Sequence, residues 1–319
     1  MKTNLAQRWL VDVGAQLRAG AIAWLAGVGP RPSALQKHQG RDDLRGIRLD
    51  EPTFVKSIPT GTGSTMEVMK GFVRVTGANW SSIDLSGAHL GSLRFFDSTV
   101  DDCVFDGADC NDWRLWNSRI SNSSFVGANL RDAALGTWWE GKRNVWSAVD
   151  FDRADLRGVL VSGALISGCT LRDVKLNSAR FKQATIEDSV ISGNLDGVTF
   201  DGRDLSREPA GSYLRNVDFS EALFANVEFR GYPFEAVTLP PGVKAIPRFQ
   251  DVAPRLQALI PGDDSLLSRR LRVHAESDAT GPGSRAEAVK VYNRADFIAR
   301  GGDEYADAWE ALVQQVVGG

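Results

Sequence analysis

The stretch from Trp80 to Leu135 reads WSSIDLSGAHLGSLRFFDSTVDDCVFDGADCNDWRLWNSRISNSSFVGANLRDAAL, and every fifth residue in it is apolar. The series starts Trp80, Leu85, Leu90, Phe95, Val100, Phe105 and continues through Cys110, Leu115, Ile120, Phe125, Leu130 and Leu135. A fixed short period is read as a repeat before any single element is considered. A second series sits two residues earlier and is small: Ala78, Ala88, Ser98, Cys103, Ala108, Ser118, Ser123, Ala128 and Ala133. Period five fits neither a helix, at 3.6, nor a plain strand, at 2. It fits a short extended step, with i−2 and i on the same side, followed by a corner. Asp106-Gly107, Asn122-Ser123 and Asp101-Asp102 supply the corners, since these residue types favour turns. Repeated corners wind the chain into a coil with four faces. Large i residues then fill the axis, and small i−2 residues let the corners close.

Ala78-Asn79-Trp80, Ala108-Asp109-Cys110, Ala128-Asn129-Leu130 and Ala154-Asp155-Leu156 resemble the A(D/N)LXX pattern of the pentapeptide-repeat proteins. The resemblance covers roughly residues 73–239. It implies an all-β solenoid, a right-handed quadrilateral β-helix; the hand comes from the resemblance and not from the period.

The period breaks at 136–145 and resumes one residue out of phase at Trp146. A slip near Gly193 restores the earlier phase, and a second break, containing Glu208-Pro209, spans 206–213. The last block runs from Leu214 to Leu239, before Pro240-Pro241 ends the series. In all there are 31 steps, about eight coils, or a rod of roughly 35–40 Å at a strand spacing of about 4.8 Å.

Four segments are expected. Residues 1–40 hold an amphipathic helix over 4–26 and a linker. Asn4 and Gln7 could form its cap pair, and Leu5, Trp9, Val13, Leu17 and Ala21 lie on one side. The leading reading is a cover for the open end of the solenoid; a membrane-surface helix and a secretion signal are the competing ones. Residues 41–72 hold a degenerate first turn (Ile47/Leu49, Pro52/Phe54) and a loop with Thr60-Gly61-Thr62-Gly63. That loop lacks the lysine of a phosphate-binding loop. Residues 73–239 form the coil, with loops at 136–145 and 206–213. Residues 240–319 form a helical appendix. One of its helices is expected to carry Val289, Tyr292 and Ile298 behind a Ser284/Glu287 capping box, and the last to carry Tyr305, Trp309, Leu312 and Val316. These last four are the oligomerisation candidates, for a homodimer through the C-terminal helices.

No catalytic constellation is visible. The three histidines, His38, His89 and His274, show no metal spacing with cysteine. Neither a nucleophile elbow nor HExxH is present. Cys103, Cys110 and Cys169 fall at inward positions and read as small core residues, which suits a reducing cytoplasm. No apolar run reaches the length of a membrane span. A non-enzyme without cofactor or metal, and without membrane contact, is expected.

Surface remains. Net charge is −3, which gives no basic footprint for direct nucleic-acid contact. Residues 76–239 hold 23 Asp/Glu against 16 Lys/Arg. Asp84, Asp97, Asp101, Asp102, Asp106 and Asp112 stand in one span with Arg94 as the only cation, an acidic-face candidate. An acidic rod about as wide as duplex DNA would present negative charge to basic DNA-binding surfaces. Here the resemblance implies more. Some family members look like DNA mimics that bind type II topoisomerases, DNA gyrase or topoisomerase IV, and confer resistance to inhibitors, in several cases through projecting loops. Trp138, Trp139, Lys142 and Arg143 in the 136–145 break are the partner-binding loop candidate, with a bulge folded back on the rod as the competing reading. Those members end in a short dimerising helix, whereas this chain has a long appendix and an N-terminal extension of about 70 residues. The alternative function is an interaction scaffold in which the rod presents the terminal helical parts.

Overall fold

The structure is a computed structural model that describes residues 5–10, 12–49, 53–59, 65–70, 73–203, 211–279 and 288–317. Its centre is the expected right-handed four-sided coil. The first face is an eight-stranded parallel sheet that begins at Arg74–Thr76, Arg94–Phe96 and Arg114–Trp116 and ends at Glu228–Arg230. The second face is a parallel sheet starting at Asn79–Ser81, Thr99–Asp101 and Arg119–Ser121. The third and fourth faces are narrower. They are held by parallel bridges such as Asp84 to Val104 to Ser124 and His89 to Asp109 to Asn129.

One coil takes 20 residues, as in the bond from the Ala78 amide to the Ser98 hydroxyl. Each axial side chain therefore lies over its counterpart one coil away. Phe105 stacks on Phe125 at 4.4 Å and Phe125 on Phe151 at 5.4 Å along the third face. Phe181, Phe200 and Phe229 stack at 4.7 and 4.6 Å along the first. Such close aromatic pairs add stabilisation beyond area burial. The corner residue two places after each axial one takes a left-handed conformation: φ is 49° at Asp97, 52° at Asp102, 54° at Asp112 and 47° at Asn122. Asn, Asp and Gly tolerate this region best, which is why they crowd the gaps between axial residues.

The small series does chemical work as well. Ser98 accepts from the Ala78 amide and donates to the Phe96 carbonyl. Ser118 does the same one coil on, with the Ser98 amide and the Trp116 carbonyl. Corner amides buried by the coil thereby find partners. Trp113 departs from the small series, and Cys110, in the same coil, departs from the large one. The two exchange sizes: Trp113 packs edge-on to Phe105 and Phe125 and donates to the Leu90 carbonyl at 2.7 Å. Burial pushes the Cys103 thiol up to about 12 and Cys169 to about 11, and raises Cys110 as well. All three are free and buried.

Phase changes sit where the period breaks. Between Ser118 and Asn144 a coil takes 26 residues, six extra. Between Asp173 and Ser192 it takes 19, the slip at Gly193. Gly193 has φ 102°, and a Cβ there would meet the Val174 carbonyl oxygen at 2.4 Å. Between Asp188 and Asn216 a coil takes 28 residues; Leu205, Glu208 and Pro209 lie outside the described residues.

Both ends of the coil are covered. The N-terminal segment is a 3-10 turn, Gln7–Trp9, followed by helix α1, Asp12–Leu25, not one continuous helix from residue 4. Asn4 lies outside the described residues. Ala21 and Leu25 enter the main core, and Trp80 donates to the Leu25 carbonyl at 2.8 Å. The helix thus spends its apolar side on the coil. Leu44 and Leu49 start the coil, hydrogen-bonded to Asp84 and His89. Phe54 falls in an antiparallel hairpin, Thr53–Pro59 with Thr65–Lys70, rather than in a second step. Pro52 and the loop 60–64 lie outside the described residues.

The C-terminal unit has a second core. It contains α2 (Phe249–Leu259), α3 (Leu266–Ala279), α4 (Arg294–Gly301) and α5 (Asp303–Val317). Lys290–Asn293 is a strand antiparallel to Val243–Ile246, where a helix was expected. Val291 and Tyr292 favour extended backbone, and the neighbouring strand supplies the pairing. Helix α4 is capped by the Asn293 side chain, which accepts from the Ala295 amide; Ser284 and Glu287 lie outside the described residues. The unit docks on the last coil through the Val289 amide to the Tyr232 carbonyl and the Asn293 side chain to the Phe224 carbonyl, both at 3.0 Å.

Two expectations follow. Phe125→Ala removes a fully buried ring stacked on both sides and is expected to lower unfolding free energy by about 3–5 kcal/mol in urea titrations. The N-terminal segment is pinned to the first coil by Arg8 on Asp43, which Arg45 also binds, and by Arg31 on Asp42. Burial raises the Asp43 carboxyl, but the arginine hydrogen bonds outweigh it and hold it below the usual range. The bond from Arg31 lowers Asp42. Unfolded carboxyls titrate near 3.9, so this stabilisation is full above about pH 4 to 5 and is lost as pH falls toward the depressed native values. Melting temperature should drop through that window, and the drop should be shallower in Asp43→Asn.

Candidate functional site

Register decides where each charge goes. Within a coil the residues flanking an axial side chain point outward, so each face carries one charge series repeated coil after coil. The acidic residues that stand together in sequence are therefore dealt around the rod. Asp97 follows the first face, Asp101 and Asp102 the second, Asp106 flanks the third, and Asp112 follows the fourth. Together they make a belt around one coil rather than a stripe along the rod.

Most of the belt is also engaged. Asp84 is 5% exposed and holds His38 at 2.7 Å. Asp102 binds Arg41 and Ser82, and Asp112 binds Arg94 at 2.8 Å and Arg114 at 2.6 Å. Asp101 accepts from Ser121 and Asn122, Asp106 from Ser124 and the Val126 amide, and Asp97 from Asn117. The hydrogen bonds from Ser82 and Arg41 lower the Asp102 carboxyl. These carboxylates are rungs between coils as well as surface charge.

A different acidic series emerges on the third face, where Asp84, Asp106, Asp150, Asp152 and Asp218 oppose Arg172 alone. Asp106, Asp150, Asp152 and Asp218 are partly exposed. Asp150, Asp152 and Asp218 are 38 or more residues beyond the sequence cluster. The signal that finds them is the 20-residue period, every fourth step, rather than local density. The first face, opposite, has the reverse sign: Arg74, Arg94, Arg114, Arg180, Lys182 and Arg230 against Asp201 and Glu228.

The 136–145 break divides its four candidates. Trp139 and Lys142 pair across a two-residue turn whose Glu140 and Gly141 have φ 51° and 74°, the left-handed pair of a type I′ hairpin. Trp139 is 46% exposed at this tip. Trp138 instead lies back on the rod, with its indole nitrogen against Gly163. Arg143 covers the Trp138 ring at 5.6 Å and donates to the Gly163 carbonyl and Thr185 hydroxyl. Asn144 closes the insertion inside the core, accepting from the Ser118 amide at 2.7 Å and donating to the Leu115 carbonyl at 3.0 Å.

The oligomerisation candidates require correction. Tyr305, Trp309, Leu312 and Val316 are all buried in the chain's own second core. Trp309 stacks on Phe297 at 5.5 Å and meets His274 edge-on at 4.5 Å. Their helical stripe faces α2, α3 and α4 of the same chain and is not open to a second copy. Among the described residues no group of His, Cys, Asp and Glu could hold a metal ion, and no helix is long and apolar enough to cross a membrane.

Residues 147–193 match the family model for pentapeptide repeats, in eight copies. Those residues are pentapeptide repeats, and the coil of which they form part is a right-handed four-sided β-helix. No curated protein sequence matches it. Among solved structures it is similar to the pentapeptide repeat protein Rfr23 of the cyanobacterium Cyanothece 51142, at 15% identity over 37% of this chain and 91% of that one, TM-score 0.34. It is similar to HetL of Nostoc sp. strain PCC 7120, a protein involved in heterocyst differentiation regulation, at 19% identity over 65% and 89%, TM-score 0.28. It is also similar to QnrB1, a plasmid-mediated fluoroquinolone resistance protein, at 17% identity over 53% and 83%, TM-score 0.22. None of these likenesses carries an argument about function.

Gly163 has φ 63° and no room for a methyl beside Trp138. Gly163→Ala is expected to lift Trp138 and Arg143 off the rod and to accelerate tryptic cleavage at Lys142 and Arg143 several-fold, with the coil's circular dichroism unchanged.

Proposed function

We propose that this protein is a non-enzymatic interaction rod whose acidic third face docks on the basic DNA-binding surface of a protein partner, with a type II topoisomerase, gyrase or topoisomerase IV, as the specific candidate. The observation that supports this is the column of Asp106, Asp150, Asp152 and Asp218 along one side of the coil. Negative charge gathered along one side of the coil is complementary to a surface built to take a phosphate backbone, and it steers encounter as well as fit. The exposed tip of Trp139 and Lys142 adds an aromatic and basic contact of the type found at interface anchors. The scaffold alternative, with terminal helices held out for a partner, has less support. Both terminal units turn their apolar faces onto cores of this chain, α1 on the coil and α2 to α5 on one another.

Supercoiling by purified gyrase, titrated with the protein with and without a fluoroquinolone, tests the reading. Inhibition of the enzyme or rescue from the drug is expected. It should weaken tenfold or more in Asp106→Lys/Asp152→Lys, and more modestly in Trp139→Ala. No effect at high protein excess, or an effect that survives the double charge reversal, overturns it.

A further inference from the structure

We propose that the first face of the coil binds single-stranded nucleic acid. This does not rest on the topoisomerase reading, whose acidic column lies on the opposite side of the rod and which shares with this face only the Trp139/Lys142 tip.

Net charge hides this face. Arg74, Arg94 and Arg114 are Cα partners on adjacent strands, so their side chains form a column with a step of about 4.8 Å. Arg180 and Lys182 continue the cationic series further along the same sheet. Arg94 and Arg114 share Asp112. Arg74, Lys142, Arg180 and Lys182 are exposed, and among the described residues none of them has a carboxylate partner. From the Arg74 strand to the Arg180 strand is five steps of the sheet, about 24 Å, with no acidic side chain flanking the axis on that length.

Flat aromatic rings lie in the neighbouring column. Phe96 and Trp116, on adjacent strands, are parallel within 3° at 4.4 Å, and the Arg74 guanidinium covers Phe96 at 4.5 Å. Both rings are half-buried; Phe96 lies between the Arg74 guanidinium and the Trp116 ring, which makes the Trp116 face turned away from Phe96 the stacking surface for a base. Farther along, the hairpin leaves this face at Gly136 and lays Trp138 under Arg143, with Trp139 exposed beside them. A column of arginines beside aromatic planes supplies the two components that hold a single strand: cations follow the phosphates, and rings stack the bases.

An acidic polypeptide would use the cations alone and gain nothing from the parallel rings. A duplex offers no base faces for the rings. The chemistry therefore favours a single strand, DNA or RNA, bound with little sequence preference.

The full chain is titrated into a labelled oligothymidine of about 20 nucleotides, longer than site sizes of about 4–16, and anisotropy is followed between about 50 and 200 mM salt. The log–log salt slope expected for four phosphate contacts is about −3, from roughly −0.7 per contact. Arg180→Glu/Lys182→Glu, at exposed positions, should weaken binding tenfold or more and flatten the slope by about 1.4. Trp116→Ala, with its fold checked by circular dichroism, should weaken binding about tenfold through lost stacking. Asp106→Asn/Asp152→Asn on the opposite face should not weaken it. The proposal is overturned by absence of binding at the low-salt end, by affinity indifferent to the Arg180/Lys182 reversal, or by polyglutamate or a duplex competing as well as the single strand.

Discussion

A coil that closes every 20 residues sets each axial side chain over its counterpart in the coils before and after. Phe105, Phe125 and Phe151 meet face to face only because the chain returns to the same azimuth each turn. That return depends on corners of constant geometry, and the left-handed residue at each corner supplies it. Axial packing and corner conformation are therefore one constraint seen from inside and outside. Relaxing a corner would rotate every later layer, and loosening the stack would leave the corners without a reason to repeat.

The departures from the period show how strict the constraint is. The six extra residues of one coil leave and re-enter at a single corner, and Asn144 makes to Ser118 and Leu115 the hydrogen bonds that serines of the small series make elsewhere. The one-residue deletion at Gly193 needs a backbone that only glycine adopts cheaply. Trp113 and Cys110 exchange roles within one layer, so the axis conserves volume by layer rather than by position.

The coil was legible in the sequence because its period is local: five residues fix a step, and twelve axial positions repeat without a break from Trp80 to Leu135. The surface was not legible in the same way. Asp97, Asp101, Asp102, Asp106 and Asp112 are near neighbours in sequence, yet a side chain's outer neighbours are 20 residues away, so local charge density misassigned the acidic face. The stripe in α5 was correctly seen as apolar, but periodicity cannot say whether the surface it meets belongs to the same chain; α2, α3 and α4 supply it. The strand at Lys290–Asn293 was missed because its partner, Val243–Ile246, is distant in sequence. The hairpin's division into a docked Trp138 and an exposed Trp139 turns on Gly163, a residue whose importance only the coil reveals.

The two covered ends give the rod a property of a ruler. Both terminal units are seated on end coils, so their separation is set by the number of coils between them. Each added or deleted set of 20 residues would move them apart or together by one strand spacing, about 4.8 Å. The same change would carry every face along with its charges in register. Length in this architecture is quantised, and a partner that touches both ends would sense a missing coil as a fixed misfit rather than as a gradual loss of affinity.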